Sequence, residues 1–102
     1  MYYPAFIDLQ EQRCVVIGGD AHAVAKVSGL LDAGAQVTVI SQSLVHDLIR
    51  LYAKGRIEWI AREYQTGDLD DTFLVISTLV TPTVNRKVRQ EATARNILIN
   101  AM

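Results

Sequence analysis

Six residues near the start of the chain, Gly18-Gly19-Asp20-Ala21-His22-Ala23, have the types and spacing of an anion-binding turn. Glycine lets backbone approach a phosphate closely, and a helix that opens just beyond points its first N–H groups at the anion. The dinucleotide-binding pattern is G-x-G-x-x-G/A. Gly18 and Ala23 fill its first and last places, and Asp20 stands at its middle glycine. Asp20 is a good N-cap and complements the helix dipole. It also puts negative charge where a diphosphate would sit. The turn therefore reads either as a nucleotide site or as a plain strand–helix junction. His22, beside it, can donate to an anion or simply face solvent.

Two further stretches fall where such a turn would need partners. Ser41-Gln42-Ser43 follows the second apolar run, where an acidic residue commonly holds the ribose hydroxyls of NAD. These side chains can bond a ribose, and they can cap the next helix. Capping takes precedence, and the two roles are compatible. Ser77 and Thr78 end the fourth apolar run and can contact a cofactor. Leu79-Val80 after them is apolar for such a rim and fits a covered surface equally well. Asn85 either bonds across the crevice or sits in a first helical turn. Arg86, Lys87, Arg89 and Arg95 read as a solvated face. His46 reads as exposed. No Cys/His spacing resembles a metal site, and position gives no nucleophile–base set. Cys14, mid-strand, reads as a small buried hydrophobe.

The elements that would position these residues alternate. Cys14-Val15-Val16-Ile17 is short and β-branched, as a buried strand should be. A helix over residues 21–33 carries Val24, Val27 and Leu31 on one face, with Ala23 and Leu30 beside them, and Gly34 stops it. Residues 36–40 form a second strand. A second helix carries Leu44, Leu48 and Tyr52, with Val45 and Ile49 beside them, and ends at Gly55. Residues 57–60 form a third strand with Trp59 packing at its end. Residues 61–72 are polar and read as a loop with at most one helical turn. Residues 73–77 form a strongly apolar fourth strand. Thr81-Pro82 then starts a helix, Thr as N-cap and Pro at the first position, with Val84, Val88 and Ala92 facing inward. Residues 97–100 form the fifth strand. Residues 2–10 read as an N-terminal strand or arm, with Pro4 suited to an edge. Strand–helix alternation predicts an α/β fold, a Rossmann-like open parallel sheet with helices on both faces. Right-handed crossovers give strand order 3-2-1-4-5.

Bulk properties narrow the partners. The chain has 102 residues, half of them hydrophobic, and a formal net charge of −1. That supports one domain with one modest core. No block of Lys and Arg points to nucleic acid. No apolar run approaches the ~18 residues of a membrane span. One cysteine and no signal-like start make the cytoplasm the expected compartment. The last strand has no closing helix after it, which points to a piece of something longer.

Taken together, YYPAFIDLQEQRCVVIGG, AVAKVSGLLDAGAQVTVIS, GRIEWIAREY, FLVIST with TVNRKV, and ILINAM resemble the N-terminal domain of siroheme synthase and free-standing precorrin-2 dehydrogenase. The likeness runs over essentially all 102 residues. It implies a single NAD(P)-binding domain over residues 1–102, within a longer enzyme that oxidises precorrin-2 to sirohydrochlorin with NAD as cofactor. It also implies a homodimer in the full-length protein, and iron insertion in many members. Cofactor contacts carry over onto Gly18, Gly19, Asp20, Ala21 and His22, onto Ser41, Gln42 and Ser43, and onto Thr78. Lys26 matches the lysine of the first helix. The family's catalytic aspartate comes just after the fifth strand, past Met102, so no catalytic residue is assigned and the segment alone is expected to be inactive. The chain departs from the family at Asp20, where the family has its third glycine, and at Leu79-Val80-Thr81-Pro82, where it has a polar run. A domain of another class, a degenerate Rossmann module with a regulatory or assembly role and no redox activity, is the alternative.

Overall fold

The computed structural model describes residues 5–101. Eight elements follow in order: β1 (Arg13–Ile17), α1 (Ala21–Asp32), β2 (Gln36–Ile40), α2 (His46–Ala53), β3 (Glu58–Ile60), β4 (Leu74–Ser77), α3 (Pro82–Ala94) and β5 (Leu98–Ala101). The five strands form one sheet in the order β3-β2-β1-β4-β5. All four neighbouring pairs are parallel. The expected fold class and strand order are both present.

Period-two alternation divides β1 between two cores. Cys14 and Val16 face the side covered by α1 and α2, with Val27, Leu30, Val37, Val39 and Leu48. Val15 and Ile17 face the other side, with Ile40, Val75, Val88, Ala92 and Leu69. Leu69 belongs to the β3–β4 connection, which holds turns but no helix. Its fully buried side chain packs in the same cluster as Val88 and Ala92 of α3. Burying one such leucine contributes roughly 1.5–3 kcal/mol. Each helix ends in the same double bond: Gly34 N–H to Leu31 O with Ala35 N–H to Leu30 O, then Gly55 to Tyr52 with Arg56 to Leu51, then Asn96 to Thr93 with Ile97 to Ala92. Gly34, Gly55 and Asn96 all have positive φ, as this cap requires.

Several local expectations need correcting. Of the two forms expected at the N-terminus, residues 5–9 take the arm, without strand pairing, and Pro4 lies outside the described residues. The arm is tied down by Glu11 N–H to Gly34 O, and Leu9 packs on the first core. The triad Ser41-Gln42-Ser43 does not cap α2, whose N-cap position is Val45 and carries no side-chain bond. Leu44 must reach the core first, and the helix opens only after it. Thr81 stands at the N-cap of α3 with Pro82 beyond, but its hydroxyl makes no capping bond. Arg95 is exposed, as expected, but it does more than face solvent. It pairs with Glu91 at 3.0 Å and with Asp70 at 2.6 Å.

Candidate functional site

β1 is the strand at which the sheet changes direction, since it pairs with β2 on one side and β4 on the other. Ligands of open α/β sheets bind at the carboxyl ends of strands at such a switch. A cleft of about 370 Å³ lies there. Ile17 and Ile40 form its floor, and Gly18, Gly19 and Asp20 one rim. Ser41, Gln42 and Ser43 form the next wall, Glu63 and Tyr64 another, and Leu79, Thr81 and Val84 the last. A larger hollow at the opposite ends of the strands is lined by Arg13, Arg56 and Glu58. It lies away from the switch, and Arg13 is spent on Asp70 O and Thr72 Oγ1.

The glycines have an internal reason. A Cβ on Gly18, whose φ is +127°, would stand 2.1 Å from Thr78 Oγ1. One on Gly19 would stand 2.1 Å from Ser43 O and 2.5 Å from Ser41 Oγ. The turn is thus pressed between the β2–α2 loop and the end of β4. Gly18 N–H donates to Ile40 O, and Val45 N–H donates to Gly19 O. Ser41 Oγ donates to Ser43 O at 2.6 Å, and Trp59 Nε1 donates to Ser41 O at 2.9 Å. Asp20 caps α1 as expected, its Oδ1 accepting from Ala23 N–H at 3.2 Å. The cap draws one carboxylate oxygen toward the helix while Asp20 stays at the rim.

Not every expected residue reaches the cleft wall. Thr78 is only 3 % exposed, and its hydroxyl donates to Ile17 O at 3.3 Å. Ala21 and His22 are exposed in the first turn of α1 but are not part of the lining. Asn85 is a positioning group. Its Oδ1 accepts from Ser77 Oγ at 2.6 Å and its Nδ2 donates to Leu79 O at 2.8 Å. That clamp presents Leu79 to the cleft and leaves Val80 out in solvent.

A family model described as "Putative NAD(P)-binding" matches residues 5–102. The chain belongs to this NAD(P)-binding family. Among similar proteins, the siroheme synthase of Methylobacillus flagellatus is 42% identical over 99 residues, covering 97% of this chain and 21% of that one. Siroheme synthase 1 of Serratia proteamaculans is 37% identical over 101 residues, covering 99% and 21%. The chain thus spans about a fifth of the length of the curated relatives it matches. The solved structure of SirC, precorrin-2 dehydrogenase, has the same fold, with a TM-score of 0.86 at 24% identity, over 97% of this chain and 48% of that one.

Sequence reasoning missed two residues in the cleft of this NAD(P)-binding chain. Glu63 and Tyr64 lie in a stretch that reads only as a polar loop. The placement of Tyr64 depends on Glu91, 6 % exposed, which reaches across from α3. Its Oε1 accepts from the Tyr64 hydroxyl and from Gly67 N–H, the latter at 2.9 Å. Its Oε2 accepts from Leu69 N–H at 3.1 Å and Arg95 Nε at 3.0 Å. Burial pushes the Glu91 carboxyl up, but these donors and the Arg95 charge outweigh it and hold it below the usual range. Burial first, then the bond to Glu91, raises the Tyr64 phenol well above its ordinary value. Tyr64 therefore stands in the cleft wall as a neutral phenol. The available signal was a glutamate at helical spacing with Val88 and Ala92, on the inward side of its helix.

Proposed function

We propose that this chain is the NAD-binding unit of a longer precorrin-2 dehydrogenase in siroheme synthesis. The observation that carries this is the cleft at the switch point, in a chain whose relatives are siroheme synthases. The lining fits a dinucleotide: apolar Ile17, Ile40, Leu79 and Val84 for a ring, polar Ser41, Gln42 and Ser43 for ribose, and the amino end of α1 for the diphosphate. The diphosphate lies against the turn Gly18, Gly19, Asp20, Ala21 and His22 at the amino end of α1, with the Asp20 charge opposing it. Ser41, Gln42 and Ser43 bond the ribose, and Thr78 braces the turn from β4. NAD supplies a hydride acceptor for the tetrapyrrole, and this segment supplies position and electrostatics. The catalytic aspartate, the dimer contacts and the tetrapyrrole site belong to the remainder of the protein, which acts as a cytoplasmic homodimer. No helix among the described residues is long and apolar enough to cross a membrane.

Calorimetric titration of the 102-residue chain with NAD+ at low salt tests the binding step. Saturable one-to-one binding supports it, and heats no larger than dilution sink it. Precorrin-2 oxidation by the full-length protein, followed by NADH absorbance, tests the reaction. A second reading rests on one observation: two acidic residues, Asp20 and Glu63, line the cleft, and no Lys or Arg among the described residues does. A redox-silent regulatory module would show that pattern, and full-length protein that leaves precorrin-2 unchanged would favour it.

A further inference from the structure

We infer that Glu63 makes this cleft refuse a 2′-phosphate, so that it takes the dinucleotide whose adenosine ribose keeps a free 2′-hydroxyl. This rests on the dinucleotide reading above and names the residue that decides between its two forms. In dinucleotide folds an acidic residue near the end of the second strand commonly does this, and an arginine nearby accepts the phosphate instead. Here the end of β2 supplies Ser41, Gln42 and Ser43, none of them charged.

β3 brings a charge to the same rim. Ile60 pairs with Ile40, and Ser41 N–H donates to Ile60 O at 3.1 Å. The segment leaving β3 therefore runs beside the serine wall, and Glu63 lines the cleft from it. The neighbouring cation is already committed. Arg62 Nη1 and Nη2 form a two-pronged pair with Asp68 at 2.8 and 2.7 Å. Arg62 Nη1 also donates to Glu63 O at 2.9 Å, which holds the Glu63 backbone in place. One residue on, Tyr64 is anchored to Glu91. A carboxylate on a loop fixed at both sides, with no cation in the lining, meets a 2′-phosphate with repulsion and a 2′-hydroxyl with an acceptor.

The test compares NAD+ and NADP+ affinities by calorimetry at low salt. It uses wild type, Glu63→Gln, Glu63→Lys and Asp32→Asn, the last removing the same charge from the far end of α1. Glu63 is exposed, and thermal unfolding checks that each variant is folded. Wild type should prefer NAD+ by about tenfold or more, Glu63→Gln should narrow the preference about fivefold, and Glu63→Lys should bring the two near parity. Asp32→Asn should keep the wild-type ratio. NAD+ binding with a ratio unmoved by Glu63→Gln, or moved as far by Asp32→Asn, overturns the role of Glu63 and leaves the dinucleotide site standing. Failure of wild type to bind either dinucleotide overturns both.

Discussion

The phenolic hydroxyl of Tyr64 donates to the carboxylate of Glu91, 27 positions further along the chain. Through that bond a side chain in the cleft wall is fixed by α3, the helix that covers the same face of the sheet. The same carboxylate takes Gly67 N–H and Leu69 N–H, so one residue of α3 satisfies one hydroxyl and two amides of the β3–β4 loop.

Glu91→Ala should therefore cost more than a surface glutamate does. It strands the Tyr64 hydroxyl and two amides, at roughly 2–4 kcal/mol. Tyr64→Phe removes one bond and should cost about 1 kcal/mol while leaving dinucleotide affinity within about twofold. Chemical denaturation measures the first, and calorimetry with NAD+ the second. Equal stability of Glu91→Ala and wild type would show the network to be idle.

The Glu91 carboxyl also predicts a pH dependence. Its folded-state pKa lies below the unfolded value, so its contribution is present in full above the unfolded value of about 4.3 and disappears as pH falls through the folded one. Glu91→Gln should flatten that acid limb of the stability curve. Urea titrations from neutral to strongly acid pH would show it. Parallel curves for the two proteins would assign the acid loss to other carboxylates.

Gly19→Ala should be poorly tolerated, because its new methyl would meet the backbone oxygen of Ser43 at 2.1 Å. Backbone cannot move aside as a side-chain tip can, and the expected loss is about 1–3 kcal/mol. Gly18→Ala adds strain at positive φ to a clash with Thr78 Oγ1, and Thr78→Ala in the same chain should return part of the loss. Melting temperatures of the single and double variants measure this. Additive losses would mean that the two residues do not press on one another.

Asp20 has separable duties. Asp20→Asn keeps a side-chain oxygen for the Ala23 N–H and removes the charge at the rim. It should keep the stability of α1 and tighten NAD+ binding by about fivefold to tenfold. Asp20→Ala should lose about 1 kcal/mol of stability with the cap. Unchanged affinity in the Asn variant would clear Asp20 of any effect on the diphosphate.

Cys14 is fully buried between β2 and β4, and burial pushes its thiol up. Thiol reagents should label it no faster than the chain unfolds. Rapid stoichiometric labelling in native buffer would contradict that placement.

Local chemistry settled the architecture. The apolar run at 14–17, the glycine stops at 34 and 55, and the Thr81-Pro82 start each determine their own neighbourhood, and the alternation leaves few ways to stack the pieces. Asp20 as an N-cap, and Gly18, Gly19 and Ser41-Gln42-Ser43 as a shared cleft wall, were legible for the same reason: each lies at the end of a strand whose position the strand order already sets. The tertiary structure alone decided what crosses from one element to another. It turned Ser41 and Ser43 toward Gly19 rather than toward α2, closed the Thr78 hydroxyl onto Ile17, and paired the exposed Arg95 with Glu91 and Asp70. It also brought Glu63 and Tyr64 into the cleft, because a loop without a helix of its own takes its shape from whatever buried group satisfies its amides. Glu91 is that group for Gly67 and Leu69, joined by the Arg62–Asp68 pair inside the loop, and nothing within residues 61–72 encodes the position of Glu91.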